Sequence, residues 1–475
     1  MSGFSSILKI TDLDDFINPS QECIIPTEKP NIAKAENTSS KIKIEVEDDG
    51  GASTDVKTGK KQPTKVEVTL SDCLACSGCI TSAESVLISQ QSPDELFRVL
   101  ELNKTTKESL AVVSLGVQAV LSLANKYGMP AQETAEKLAG LFKDLGADHT
   151  VVVTVAEDIS LLESANEFIH NYQTRNVPIF SGVCPGWVCY GEKLHQHALP
   201  KISKVKSAQQ IMGSLIKLVY GAKAKFTPDQ IYHVTLMSCF DRKLEASRHD
   251  FFIDEYKTKE VDVVITALEV EQMLEKLNKS LQDFEQVPLV DLFPEGIKGD
   301  TLIGCQLMSH PGSGSGGYAE FVLRSAASTL FGKVIDQVEW KVGRNPDIFD
   351  ASVEGNSGEN IKCSIATGFR NIQTLVRKLK AKTSMPHYVE IMACPTGCLN
   401  GGAQVRVSGG VEEGNQSREL SVKLENDYHQ LPEAKNDMHA ARSILNELKH
   451  DKELYGRVLY TEFHAVEKLN LGMKW

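Results

Sequence analysis

Four cysteines, Cys184, Cys239, Cys394 and Cys398, each follow closely on a short apolar run of strand length. The runs are Val177 to Ser181, Ile231 to Met237 and Tyr388 to Met392, and Pro or Gly neighbours three of the four cysteines. In open α/β sheets ligands collect at the carboxyl ends of strands, so four thiols placed there predict a common site. A fold that satisfies this must bring together loops that start at position 184 and end at position 398. Four thiolates suit a 4Fe-4S cubane.

The rest of the chain supplies such a fold. Further apolar runs at Ala111 to Leu115, Thr150 to Val155, Val261 to Thr266 and Lys362 to Ala366 read as strands. Between them lie amphipathic stretches at Ala131 to Leu145, Ser160 to Tyr172, Ser207 to Val219, Glu269 to Leu281, Gly317 to Leu330 and Asn371 to Lys380. This alternation predicts an α/β architecture with largely parallel sheets. From about Arg418 the chain turns polar and helical, with Met438 to Lys449 its best helix. Before all this, Ala35 to Lys65 is rich in Lys, Glu, Asp, Ser, Thr and Gly, has almost nothing to bury, and reads as a tether.

Just after the tether stands Cys73-x2-Cys76-x2-Cys79, three thiols on one tight loop. The spacing is that of a bacterial ferredoxin site, but Ala83 occupies the place of the fourth ligand. That ligand must come from elsewhere, and Cys23, across the tether, is the candidate. Zinc is the alternative, although structural zinc sites usually pair two separate Cys-x2-Cys knuckles. With eleven cysteines in all, an odd number, a disulfide framework is a poor explanation. Cys189, Cys305 and Cys363 have no partner at metal spacing and are expected as small buried residues. Cys394-x3-Cys398 lacks the third cysteine of a radical S-adenosylmethionine motif, Gly401 standing there. The glycine-rich run Gly312 to Gly317 lacks the Lys-Ser/Thr of a phosphate loop and is expected to start a helix, with His310 a turn residue.

Charge and length exclude other classes. Lys and Arg number 51 against 63 Asp and Glu, a net charge of −12, which argues against a nucleic-acid binder. The longest apolar-rich run, Ala111 to Ala124, is too short to span a bilayer, and no membrane partner is expected. A cytosolic location is expected, with access to the nucleus left open.

The segments around Cys184, Cys239 and Cys394/Cys398 resemble the three signature loops of iron-only hydrogenases. Glu390-Ile391-Met392-Ala393-Cys394 followed by Gly397-Cys398-Leu399-Asn400-Gly401-Gly402 is similar to that family's third loop. Lys206 to Gln210, Asp262 to Thr266 and Gly316 to Glu320 agree as well, and the likeness runs from about Ala111 to Gly402. With one N-terminal triplet, a distant Cys23 and a final Trp475, the chain resembles most the nuclear prelamin A recognition factor-like family.

The resemblance implies an iron-only-hydrogenase-like two-lobed body with mostly parallel sheets, a small N-terminal iron-sulfur segment and a helical C-terminal region. The corresponding divisions are 1–35 with Cys23, 36–65 as tether, 66–105 as ferredoxin-like segment, 106–260 and 261–417 as the two lobes, and 418–475 as the helical end. It further implies two 4Fe-4S clusters, on Cys23, Cys73, Cys76 and Cys79 and on Cys184, Cys239, Cys394 and Cys398. The implied role is a component of cytosolic iron-sulfur protein assembly that links cluster synthesis to insertion into apoproteins. The partners it implies are a P-loop NTPase cluster scaffold and a WD-repeat targeting complex, the latter met through Trp475.

Departures from the hydrogenase pattern argue against an enzyme. The proton-relay Cys before the first ligand is Val183, which carries no proton. A proton-path Glu is replaced by Ser164, while Glu167 and Ser203 match path residues. The Lys that holds the di-iron unit corresponds to Arg242, or to Lys243 after a one-residue slip. A true hydrogenase or another iron-sulfur redox enzyme using the inner cluster, and a nuclear prelamin A tail-binding protein, are the alternatives.

Overall fold

The structure is a computed structural model that describes residues 82–106, 109–293, 305–343, 345–356, 358–406, 413–434 and 438–466. Cys23, Cys73, Cys76, Cys79 and Trp475 lie outside the described residues.

Eleven strands among the described residues form two main sheets and a small hairpin. β1 (Leu110–Leu115), β2 (His149–Val152), β4 (Ile231–Met237) and β7 (Val263–Thr266) make an all-parallel sheet in the order β2-β1-β4-β7. β3 (Ile179–Phe180), β11 (Tyr388–Met392) and β10 (Asn360–Thr367) are parallel, and β9 (Ile348–Glu354) and β8 (Lys341–Val342) continue that sheet antiparallel. β5 (Phe252–Ile253) and β6 (Thr258–Lys259) form the hairpin.

β1 shows why the parallel strands read as unbroken apolar runs: both its faces are covered. Leu110 and Val112 face one core, while Ala111, Val113 and Leu115 face the other. Its one polar side chain, Ser114, is satisfied by His233 on the neighbouring β4, Oγ to Nε2 at 2.8 Å. The helices Val117–Tyr127, Ala131–Leu145 and Ala267–Leu277 line the second core. The first core is built around Thr154–Gln173 and Tyr318–Phe331, and it also takes in Tyr388 of β11 and Cys363 of β10. That shared core joins the two sheets.

Sheet membership crosses the division expected at residue 260. β3, from the 106–260 stretch, belongs with β11, whereas β7, from 261–417, closes the edge of the first sheet. The strand expected over Thr150 to Val155 stops at Val152, and a helix starts at Thr154. Its β-branched residues continue past the sheet, where the chain has to turn into the crossover helix. The helix expected over Ser207 to Val219 is regular only at Ala208–Ser214, then widens to π geometry at Leu215–Tyr220. Past residue 413 come three helices, Glu413–His429, His439–Leu448 and Lys452–Leu459.

Candidate cluster site

Each inner cysteine is placed by the end of a strand. After β3 the chain runs through Gly182 and Val183 to Cys184, which caps the helix Pro185–Leu194, with Pro185 at its first position. Cys239 follows β4 by two residues and precedes the helix Asp241–Ala246. Cys394 follows β11, and the chain doubles back through Thr396 and Gly397, both at positive φ, to the 3-10 turn Cys398–Asn400. Gly397 is required there: its φ is 100°, and a Cβ would collide with the Ser315 hydroxyl. That hydroxyl also accepts the Leu399 N–H at 3.1 Å.

The three loops meet one another. The Ala393 N–H donates to the Cys184 Sγ at 3.3 Å, and Ala403 N–H donates to Ser238 O at 3.2 Å. A Cβ built on Gly186 would lie 3.2 Å from both the Ala393 Cβ and an Asp241 carboxylate oxygen, so the first loop touches the other two. Cys184 and Cys239 are buried and Cys394 and Cys398 partly so, and none of the four is in a disulfide. The joint therefore lies where the carboxyl end of β4 in one sheet meets those of β3 and β11 in the other.

Beside the joint is a cavity of about 70 Å³, lined by Cys184, Cys398, Val183, Arg242, His310 and Glu390 among others. Burial pushes the Cys184 thiol up and the Cys398 thiol up to about 12, the latter reinforced by Cys184 itself. Burial opposes the charge on Arg242, yet the Glu245 carboxylate outweighs it and favours the charged guanidinium, and any negative charge on Cys239 or Cys398 would add to that pull. Its Nη1 meets Glu245 Oε2 at 2.7 Å. Lys243, the other candidate from the sequence, is tied instead to Glu269 Oε1 at 2.6 Å and to Gln91 O. Of the two, Arg242 lines the cavity.

These residues fit an iron-sulfur cluster. The donor set is four soft thiols from three loops, one already accepting a backbone N–H as cluster sulfurs do, with a guanidinium beside them to balance anionic charge. Binding iron would have to displace protons from thiols that burial holds neutral.

The sequence reading missed the acids of this cavity. Glu390, on β11, is 1% exposed; its Oε2 accepts the Ala319 N–H at 2.8 Å and its Oε1 has no partner among the described residues. A lone carboxylate inside Tyr-Val-Glu-Ile-Met was its signal. His310, expected as a turn residue, is buried and its Nε2 lies 2.5 Å from Asp158 Oδ1. Burial opposes charge on the imidazole, but Asp158 wins and raises its pKa. Glu167 and Ser203 are hydrogen-bonded to each other, while Val183 lines the cavity with no group to pass a proton. Gly317 starts the helix Tyr318–Phe331 as expected. Cys363 is buried as expected, but Cys189, within the helix Pro185–Leu194, and Cys305, on a turn, are only partly buried.

Burial pushes the Glu390 carboxyl up to about 7 from 4.5, although the Ala319 N–H favours its charged form. The folded chain thus binds this proton more tightly than the unfolded chain. The associated stability is complete below about pH 4.5 and is lost as pH rises through about 7. Glu390→Gln is expected to flatten the fall in melting temperature over that range; an equally steep fall in the variant would contradict this assignment.

Residues 109–402 match the family described as iron only hydrogenase large subunit, C-terminal domain. Solved structures agree on the fold. An apo [FeFe]-hydrogenase HydA1 from Chlamydomonas reinhardtii superposes with a TM-score of 0.66 at 20% identity, over 79% of this chain and 99% of that one. The protein has the iron-only hydrogenase fold. Over its whole length it is 45% identical to a probable cytosolic Fe-S cluster assembly factor of Anopheles gambiae and 42% identical to the cytosolic Fe-S cluster assembly factor narfl of Xenopus tropicalis, each covered in full. The chain belongs to this family of hydrogenase-like cytosolic Fe-S cluster assembly factors.

Proposed function

We propose that the protein carries two 4Fe-4S clusters and serves, without being an enzyme, in cytosolic iron-sulfur protein assembly, between cluster synthesis and insertion into apoproteins. The outer cluster is assigned to Cys23, Cys73, Cys76 and Cys79, the inner one to Cys184, Cys239, Cys394 and Cys398. The observation that carries the inner assignment is the meeting of three cysteine loops at the joint of the two sheets. Spacing alone supports the outer one. The relatives' names support the pathway and the cytosol. A WD-repeat targeting complex and a P-loop NTPase scaffold are the partners this reading implies.

The chemistry a cluster supplies here is electron storage and sulfur-bound iron; the chain's own residues hold and shield it. Arg242 offsets negative charge, the Ala393 N–H holds the Cys184 sulfur, and Ser315 fixes the turn that presents Cys398. Val183 leaves the cavity without a proton carrier next to Cys184.

In cells depleted of their own factor, the wild-type chain is expected to restore the activity of a cytosolic Fe-S enzyme, and Cys184→Ala and Cys73→Ala are expected to fail. Equal restoration by both variants would refute the carrier reading.

A further inference from the structure

The helix Ser82–Gln90 begins three residues after Cys79 in sequence and packs on Asp241–Ala246, the helix that follows Cys239. Ile88, 1% exposed, shares a small core with Cys239, Phe240, Leu244 and Ala403. Immediately after the helix comes Gln91, a polar side chain only 3% exposed. A buried amide needs partners for two donor hydrogens and an acceptor oxygen.

Gln91 finds all of them on the Cys239 side of the molecule. Its Nε2 donates to Lys243 O at 2.8 Å and to Ser247 Oγ at 2.7 Å, and its Oε1 accepts the Val264 N–H at 3.1 Å. Val264 is in β7, the edge strand of the first sheet, so the amide also satisfies an N–H that no further strand pairs. The Gln91 carbonyl in turn accepts from Lys243 Nζ, whose other partner is Glu269 Oε1 at 2.6 Å. The bonds fix the amide's orientation, since a flipped group would set N–H against N–H at Val264. On its other side the Cys239 loop is held by Ala403 N–H to Ser238 O. One clamp thus comes from the third cysteine loop and the other from residue 91.

We propose that Gln91 is a positioning residue for the inner cluster: its amide clamps the end of the helix that follows Cys239 to the sheet edge, making the segment that follows the outer cysteine triplet a structural part of the inner site. This rests on the reading of Cys184, Cys239, Cys394 and Cys398 as cluster ligands. It ties the two halves of the protein in one direction: disturbing residues 82–91 disturbs Cys239.

The test uses the full-length chain with Cys73→Ala and Cys76→Ala, so that iron reports on the inner site alone. After anaerobic reconstitution, the rate of iron loss to a ferrous chelator and the electron paramagnetic resonance spectrum of the reduced protein are compared among variants. Gln91→Ala is expected to speed iron loss about tenfold and to shift the spectrum, because it leaves the buried Val264 N–H without its partner and frees the Lys243 carbonyl and the Ser247 hydroxyl from the amide. Ser247→Ala, a milder change that keeps Gln91, is expected to move both readouts in the same direction by less. Leu141→Ala, in the core on the helix Ala131–Leu145, is expected to lower the melting temperature and leave the spectrum unchanged. The inference is overturned if both clamp variants match the parent, or if Leu141→Ala shifts the spectrum as far as Gln91→Ala does. A parent that holds no iron would overturn the inner-site reading as well.

Discussion

Cys398→Ala is expected to lower the iron content of the reconstituted chain from about eight to about four atoms and to make the protein prone to precipitation. The size of the effect follows from where the cysteine sits. Its turn is held by Ser315, and with Cys184, Cys239 and Cys394 it closes the joint between sheets whose loops are far apart in sequence. A cluster held by these four cysteines would cross-link the loops after β3, β4 and β11, so its loss would remove folding free energy as well as iron. Cys73→Ala is expected to cost the same amount of iron with little change in the melting of the α/β body, because Cys73 precedes the first described helix. Iron and sulfide quantitation with thermal melting separates the two variants. Retention of all the iron by Cys398→Ala would show that the turn does not ligate.

Hydrogen evolution from reduced viologen is expected to be undetectable, even when hydrogenase maturation proteins are supplied. A positioned proton carrier contributes about 10²–10⁴-fold to a proton-transfer step. By the resemblance to iron-only hydrogenases that place would fall to Val183, which lines the cavity, and the proton-path Glu to Ser164, which is buried. Glu167 and Ser203 survive as a hydrogen-bonded pair with no relay to serve, consistent with a structural contact that also fastens Lys204 N–H to Glu167 Oε1 at 3.0 Å. Turnover at rates typical of hydrogenases would contradict the non-enzymatic reading.

The sequence was most legible where one physical constraint dominated. β4 and β11 were expected to the residue, because strands covered on both faces read as mostly apolar, β-branched or aromatic runs even where a buried polar residue such as His233 or Glu390 interrupts them. β9 went unseen although Phe349 to Glu354 alternates apolar and polar side chains, as a strand covered on one side does; its pairing with β10 is antiparallel and closes the sheet beyond the parallel strands. The four inner cysteines were legible as a set because spacing and strand ends agree. The cavity acids were not, since a single Glu or His has no pattern. The choice between Arg242 and Lys243 needed the structure, because the two lie on adjacent positions of a short helix and burial decides which faces the cavity. Sheet membership across residue 260 was equally hidden, for strand order in a parallel sheet depends on crossovers and not on local sequence.

The most direct test of the central claim is anaerobic reconstitution of the full chain, with iron and sulfide quantitation and electron paramagnetic resonance of the reduced protein. The account predicts about eight irons and eight sulfides per chain and two distinct 4Fe-4S signals, one lost in Cys73→Ala and the other in Cys398→Ala. Stoichiometric zinc with no iron would contradict it.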